Sequence, residues 1–176
     1  MRLKVTLLGV VILSFLVAAS EAQQGPAPAS NKDFKCEVTE PNGIAAGVEE
    51  PAPGSYGNRE VSVGPFGLCP DGILIFKPGG AGFVTRSGAL GMKWGWMRGV
   101  SGQLKIEGRR LDAEASPLRS EVPEGYGDRG FQVSYLIFPT PGCWEVTGRV
   151  GNSSVTFVTK VVKIGEGPSW RRKDLP

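Results

Sequence analysis

The chain has 176 residues, a formal charge of +3 and no histidine. Without imidazole there is no Ser-His-Asp or Cys-His catalysis, no His-ligated zinc and no histidine general base, and so small a charge argues against nucleic acid as a partner. Its 26 glycines and 14 prolines penalise helix nearly everywhere.

The first residues read as an address, not as fold. Arg2 and Lys4 give a basic start, Val5 to Ala19 is almost wholly apolar, and Ala18, Ala19, Ser20 and Ala22 are small. That order describes a secretory signal peptide over residues 1–22, cleaved after Ala22. A membrane anchor is the alternative, but an apolar run of about fifteen residues falls short of the roughly twenty that a spanning helix needs. After cleavage no spanning segment remains, and the product is periplasmic or secreted. Cleavage removes two cations and one anion, so the charge falls from +3 to +2. Residues 23–33 carry two prolines and no apolar period, and read as a flexible leader.

From residue 34 the pattern is that of strands. Phe34-Lys-Cys-Glu-Val-Thr39 has the composition of a short one. Residues 41–58, with Pro-Asn-Gly, Pro-Ala-Pro-Gly and Tyr-Gly-Asn, read as a long surface loop. Val61 and Val63 alternate with polar neighbours. Ile73-Leu-Ile-Phe76 is a continuous apolar run, which predicts a strand buried on both faces. Phe83-Val-Thr-Arg86 is a short partner. Leu90, Met92, Trp94 and Trp96 recur at every second position, so they share one sheet face. Leu104 and Ile106 alternate in the same way. Residues 112–130, rich in Glu, Pro and Gly, form a second irregular region.

The end of the chain is the clearest part. Phe131–Phe138, Cys143–Val150 and Ser153–Lys163 are strand-like runs, cut by Pro-Thr-Pro-Gly and by Gly151-Asn152, a pair suited to a tight hairpin. In this meander Phe131, Val133, Tyr135 and Ile137 share a face, as do Trp144, Val146 and Val150. Residues 166–176, which include Arg171, Arg172 and Lys173, read as a disordered tail. About eight short strands with such turns predict a β-sandwich over residues 34–165.

Three cysteines bear on the chemistry. Cys36, Cys69 and Cys143 cannot all pair within one chain. Cys36 and Cys143 sit at the edges of strand-like runs and are the disulfide candidates, whereas Cys69 lies in a Gly/Pro-rich turn. With no Cys-x-x-Cys, a zinc site is not indicated, and no cofactor motif is present. Arg149 falls on the same strand face as Cys143, but no histidine relays a proton to make that thiol a nucleophile. Trp94 and Trp96 either fill the core or, if exposed, offer indole faces to a sugar or protein partner. Glu114, Glu121, Glu124 and Asp128 are the candidates for paired-carboxylate hydrolysis, and nothing in their spacing holds two carboxyls at a set distance.

Four segments carry a resemblance: Pro70–Gly80, Leu90–Trp94, Ile106–Asp112 and, most of all, Phe138-Pro-Thr-Pro-Gly-Cys-Trp-Glu-Val-Thr-Gly-Arg-Val150. On these the chain resembles a group of uncharacterised exported bacterial proteins. The last segment is similar to the penultimate strand and turn of immunoglobulin-like domains in bacterial surface proteins and lipoproteins. The resemblance implies an immunoglobulin-like fold and is silent on activity. Adjacent Cys143 and Trp144 depart from the inter-sheet Cys…Trp…Cys arrangement of antibody domains.

We therefore read the chain as all-β, an immunoglobulin-like antiparallel sandwich behind a signal peptide. Its expected role is non-catalytic binding or support at the cell envelope, with an envelope protein or glycan as partner and loops 41–58 and 112–130 as contact surfaces. Carbohydrate binding through Trp94 and Trp96 is the first alternative. A small hydrolase using the loop carboxylates is the second.

Overall fold

A computed structural model describes residues 34–64 and 71–165. Residues 1–33, read above as signal peptide and leader, residues 166–176, read as a tail, and Cys69 all lie outside them. Among the described residues there is no helix and there are ten strands. These are β1 (Tyr56–Gly57), β2 (Val61–Val63), β3 (Ile73–Phe76), β4 (Phe83–Val84), β5 (Leu90–Arg98), β6 (Leu104–Arg110), β7 (Arg119–Glu121), β8 (Gly130–Phe138), β9 (Gly142–Val150) and β10 (Ser153–Lys163).

The strands form two sheets packed as a sandwich. One has the order β1-β2-β5-β8-β7, with β4 on the opening of β5; the other has the order β3-β10-β9-β6. All pairings are antiparallel except β3 with β10, which is parallel.

Period-two alternation sets the core. Leu90, Trp94 and Trp96 of β5 meet Trp144, Val146 and Val150 of β9 and Phe157 of β10, all with at most 1% of their surface exposed. Burying side chains of this size is the main stabilising term, about 1.5–3 kcal/mol for each large apolar group. Trp94 stacks on Phe157 at 5.2 Å between ring centroids. Trp144 meets Phe138 edge-on at 5.6 Å, and its indole N–H donates to the Thr140 carbonyl, so the Pro-Thr-Pro-Gly turn is tied to the strand that follows it. Cys36 and Cys143 form the disulfide, which joins the segment before β1 to β9.

Several expectations are corrected. Residues 34–39 do not form a strand. They lie along β10, held by the disulfide and by Thr39, whose N–H donates to the Val158 carbonyl while its hydroxyl accepts from the Val158 N–H. The Ile73–Phe76 run is not buried on both faces. It is an edge strand, so Leu74 and Phe76 enter the core while Ile75 is 45% exposed.

Phe131, Val133, Tyr135 and Ile137 do share a face, and it is the outer one, with Val133 and Ile137 nevertheless buried. Gln132, Ser134, Leu136 and Phe138 point inward and are buried. Hydrophobicity alone favours the odd face, but register with β5 sends the even face toward the opposite sheet. Segment 112–130 is not wholly irregular either: β7 pairs with β8, and Leu118 is buried.

Candidate functional site

The two tryptophans offered as a stacking platform are both completely buried. A sugar needs an exposed ring face, so the platform reading of Trp94 and Trp96 fails. Their place on the β5 face that packs against the opposite sheet, over Trp144, Val146 and Phe157, is the physical reason. Trp96 donates its indole N–H to the Ser134 hydroxyl at 2.9 Å within the core, while the Trp94 indole nitrogen is buried without a hydrogen-bond partner. Cys143 is oxidised to the disulfide and has no thiol to act as a nucleophile.

Of the two expected contact loops, 41–58 is stitched down. The Asn42 side chain bonds the backbone of Ile44 and Gly57, the Ala46 N–H donates to Ser62 Oγ at 2.8 Å, and Ala45 and Ala46 are buried. Loop 112–130 is different, because it walls a cavity.

That cavity lies at the end of the sandwich where β5 turns to β6, β7 turns to β8 and β9 turns to β10. Its volume is about 310 Å³. The alternation that carries Trp94 and Trp96 inward continues to Arg98, the last residue of β5, which is only 3% exposed. Burying a cation costs several kcal/mol unless dipoles or anions compensate it. Here carbonyls do so. Arg98 Nη1 donates to Gly102 O at 3.1 Å, and Nη2 donates to Tyr126 O at 3.1 Å and to Gly127 O at 3.0 Å. Its Nε is buried with no partner. None of the ion pairs among the described residues involves Arg98.

Gln132 is the neighbouring inward polar residue, since its register partner is Trp96. Its Nε2 donates to Pro123 O and to Val133 O, each at 2.9 Å. Arg98 and Gln132 thus hold opposite ends of segment 123–127. Gly125 and Gly127 both have left-handed φ, at 91° and 68°, with open space where a Cβ would stand. It is backbone conformation, not crowding, that favours glycine there. The two turns bring the carbonyls of residues 126 and 127 onto one guanidinium nitrogen and leave the Tyr126 ring at the rim, 37% exposed. Phe131, 45% exposed, meets that ring edge-on at 6.1 Å.

The remaining carboxylates divide. Glu124 and Asp128 both line the cavity. Glu121 sits on β7 beside Arg119, with its carboxylate 3.8 Å from the guanidinium, and Glu114 lies exposed on another part of the segment. A second depression, about 520 Å³, lies on the outer face of β6, β9 and β10, but its charges satisfy one another: Arg109 pairs with Glu145 at 2.8 Å and Arg149 with Glu107 at 3.1 Å.

Sequence reasoning missed Arg98 and Gln132. The available signal was that Arg98 follows Trp94 and Trp96 at the same two-residue period, so a charge falls on the core face. Among the described residues no group of three metal-ligating side chains occurs. No family model matches the chain, and no curated protein and no solved structure matches it.

Proposed function

We propose that the chain is an exported, non-catalytic, immunoglobulin-like module that binds another macromolecule at the cell envelope through the loop end holding Arg98. One observation carries this reading: a charged residue is buried at the end of a strand to hold a glycine-turned loop around an open cavity. Such a scaffold-plus-loop arrangement is how sandwiches present variable contacts.

Other features support it. The order β2-β5-β8-β7 facing β6-β9-β10 agrees with the order of a constant-type immunoglobulin sandwich. It lacks that family's disulfide between the second and sixth strands, since Cys143 joins Cys36 instead. A disulfide fits an oxidising compartment and hence export, as does the pattern of residues 1–22.

The test uses a photoreactive amino acid placed at Asn152, on the exposed β9–β10 turn, or at Lys77, exposed beyond the far end of β3. Irradiation of intact cells should give a macromolecular adduct from position 152 and none from position 77. Adducts at neither position, or at 77 alone, overturn the assignment of the binding end.

A further inference from the structure

We propose that the Arg98 cavity takes a neutral saccharide unit, with the sugar ring set against Tyr126. This rests on the loop end being the binding surface, and it names the ligand class.

The first ground is the chemistry of the lining. Glu124 and Asp128 offer acceptors, Gln103 brings an amide, and Gln132, whose Nε2 is committed to the Pro123 and Val133 carbonyls, adds only its amide oxygen. A hydroxyl both donates and accepts, so a polyol satisfies such a mixed set, whereas a purely apolar ligand would leave it unpaired.

The second ground is charge. The cavity holds one cation, Arg98, against two carboxylates, Glu124 and Asp128. An acidic ligand would meet net repulsion. It would also find no free guanidinium fork, because both terminal nitrogens of Arg98 are committed to the carbonyls of Gly102, Tyr126 and Gly127 and the third nitrogen is sealed inside. Arg98 is thus a positioning residue that shapes the loop without meeting the ligand.

The third ground is the rim. Tyr126 and Phe131 are two of the few large apolar side chains that the described residues expose, and they stand together beside a polar cavity. A pyranose has an apolar C–H face that packs on such a ring, while its edge hydroxyls reach polar groups. The volume, about 310 Å³, falls at the lower end of the range for small-molecule sites, roughly 300–1,000 Å³, which suits one or two sugar rings better than a long chain.

The test is calorimetric titration of the processed protein with cellotetraose, maltotetraose, mannotetraose and tetra-N-acetylchitotetraose, with tetragalacturonate as the acidic comparison. At least one neutral sugar should bind saturably. Tyr126→Ala and Asp128→Asn should each weaken that binding about tenfold or more, while Lys77→Ala leaves it within about twofold. Both key positions are exposed, and unchanged unfolding midpoints would verify that the variants are folded. Failure of all four neutral sugars, binding of tetragalacturonate alone, or binding that survives both variants overturns the proposal. A protein adduct at position 152 together with no sugar binding sinks the ligand class and leaves the binding end standing. Loss of both sinks the two together.

Discussion

Trp96 on β5 lies directly over Gly148 on β9, in the opposite sheet. A Cβ at position 148 would fall 2.2 Å from ring atom Cζ3 and 2.7 Å from Cη2. The indole cannot swing aside, because it is fully buried and its N–H is held by Ser134. Glycine at 148 therefore sets how closely the two sheets approach. Gly148→Ala should destabilise the fold by about 1–3 kcal/mol through overpacking. The measurement is the urea midpoint, and an unchanged midpoint would show that the sheets can part at no cost.

The disulfide should carry a large share of the stability. It spans 107 residues of sequence, and cross-links over long loops restrict the unfolded chain most. The double variant Cys36→Ser, Cys143→Ser should lose about 2–4 kcal/mol and release residues 34–39 from β10. Denaturation with and without reductant checks the first effect. Faster amide exchange at Thr39 and Val158 checks the second.

Asp112 links stability to pH. Burial acts to raise its pKa, but hydrogen bonds from Arg110 and from the Cys143 N–H outweigh that and hold the carboxyl below its ordinary value. Because the folded value lies below the unfolded one, the stabilisation is full above the ordinary value of about 4 and disappears as pH falls through the folded value. Asp112→Asn should cost about 1–2 kcal/mol at neutral pH and flatten the acid limb. Urea midpoints from pH 6 down to pH 2 should show wild type and variant converging at the acid end.

Arg98→Met should loosen the loop without unfolding the domain. The carbonyls of Gly102, Tyr126 and Gly127 lose their shared donor, at a cost of about 1–3 kcal/mol. Limited proteolysis should then cut within residues 123–128 many times faster, while the core strands stay resistant. Unchanged protection of that segment would mean that Gln132 alone holds it.

Trp94, Trp96 and Trp144 should be nearly silent to iodide. All three are fully buried, so in a Trp170→Phe background the Stern–Volmer slope should be close to zero in the native state and rise on unfolding. A steep native slope would reopen the case for an exposed indole face.

Much of the fold was legible in residues alone. The two-residue spacing of Leu90, Met92, Trp94 and Trp96 marked one sheet face, and the turn residues between Phe138 and Cys143 and at Gly151-Asn152 marked the closing meander. The cavity at the loop end was not legible. Its polar residues, Arg98 and Gln132, stand on strands otherwise read for apolar content, and what makes them informative is where their partners lie. Arg98 reaches Tyr126 and Gly127, 28 and 29 positions away.

Side-chain alternation is local, because successive residues of a strand must point to opposite sides. For that reason the order of amino acids was enough to decide that this chain builds sheets and which tryptophans belong together. Which side of β8 faces inward, whether Ile75 is covered, and which loops close around a cavity depend on pairing between segments far apart in the chain. Only packing of the two sheets decides these, since register and sheet order trade one apolar face against another.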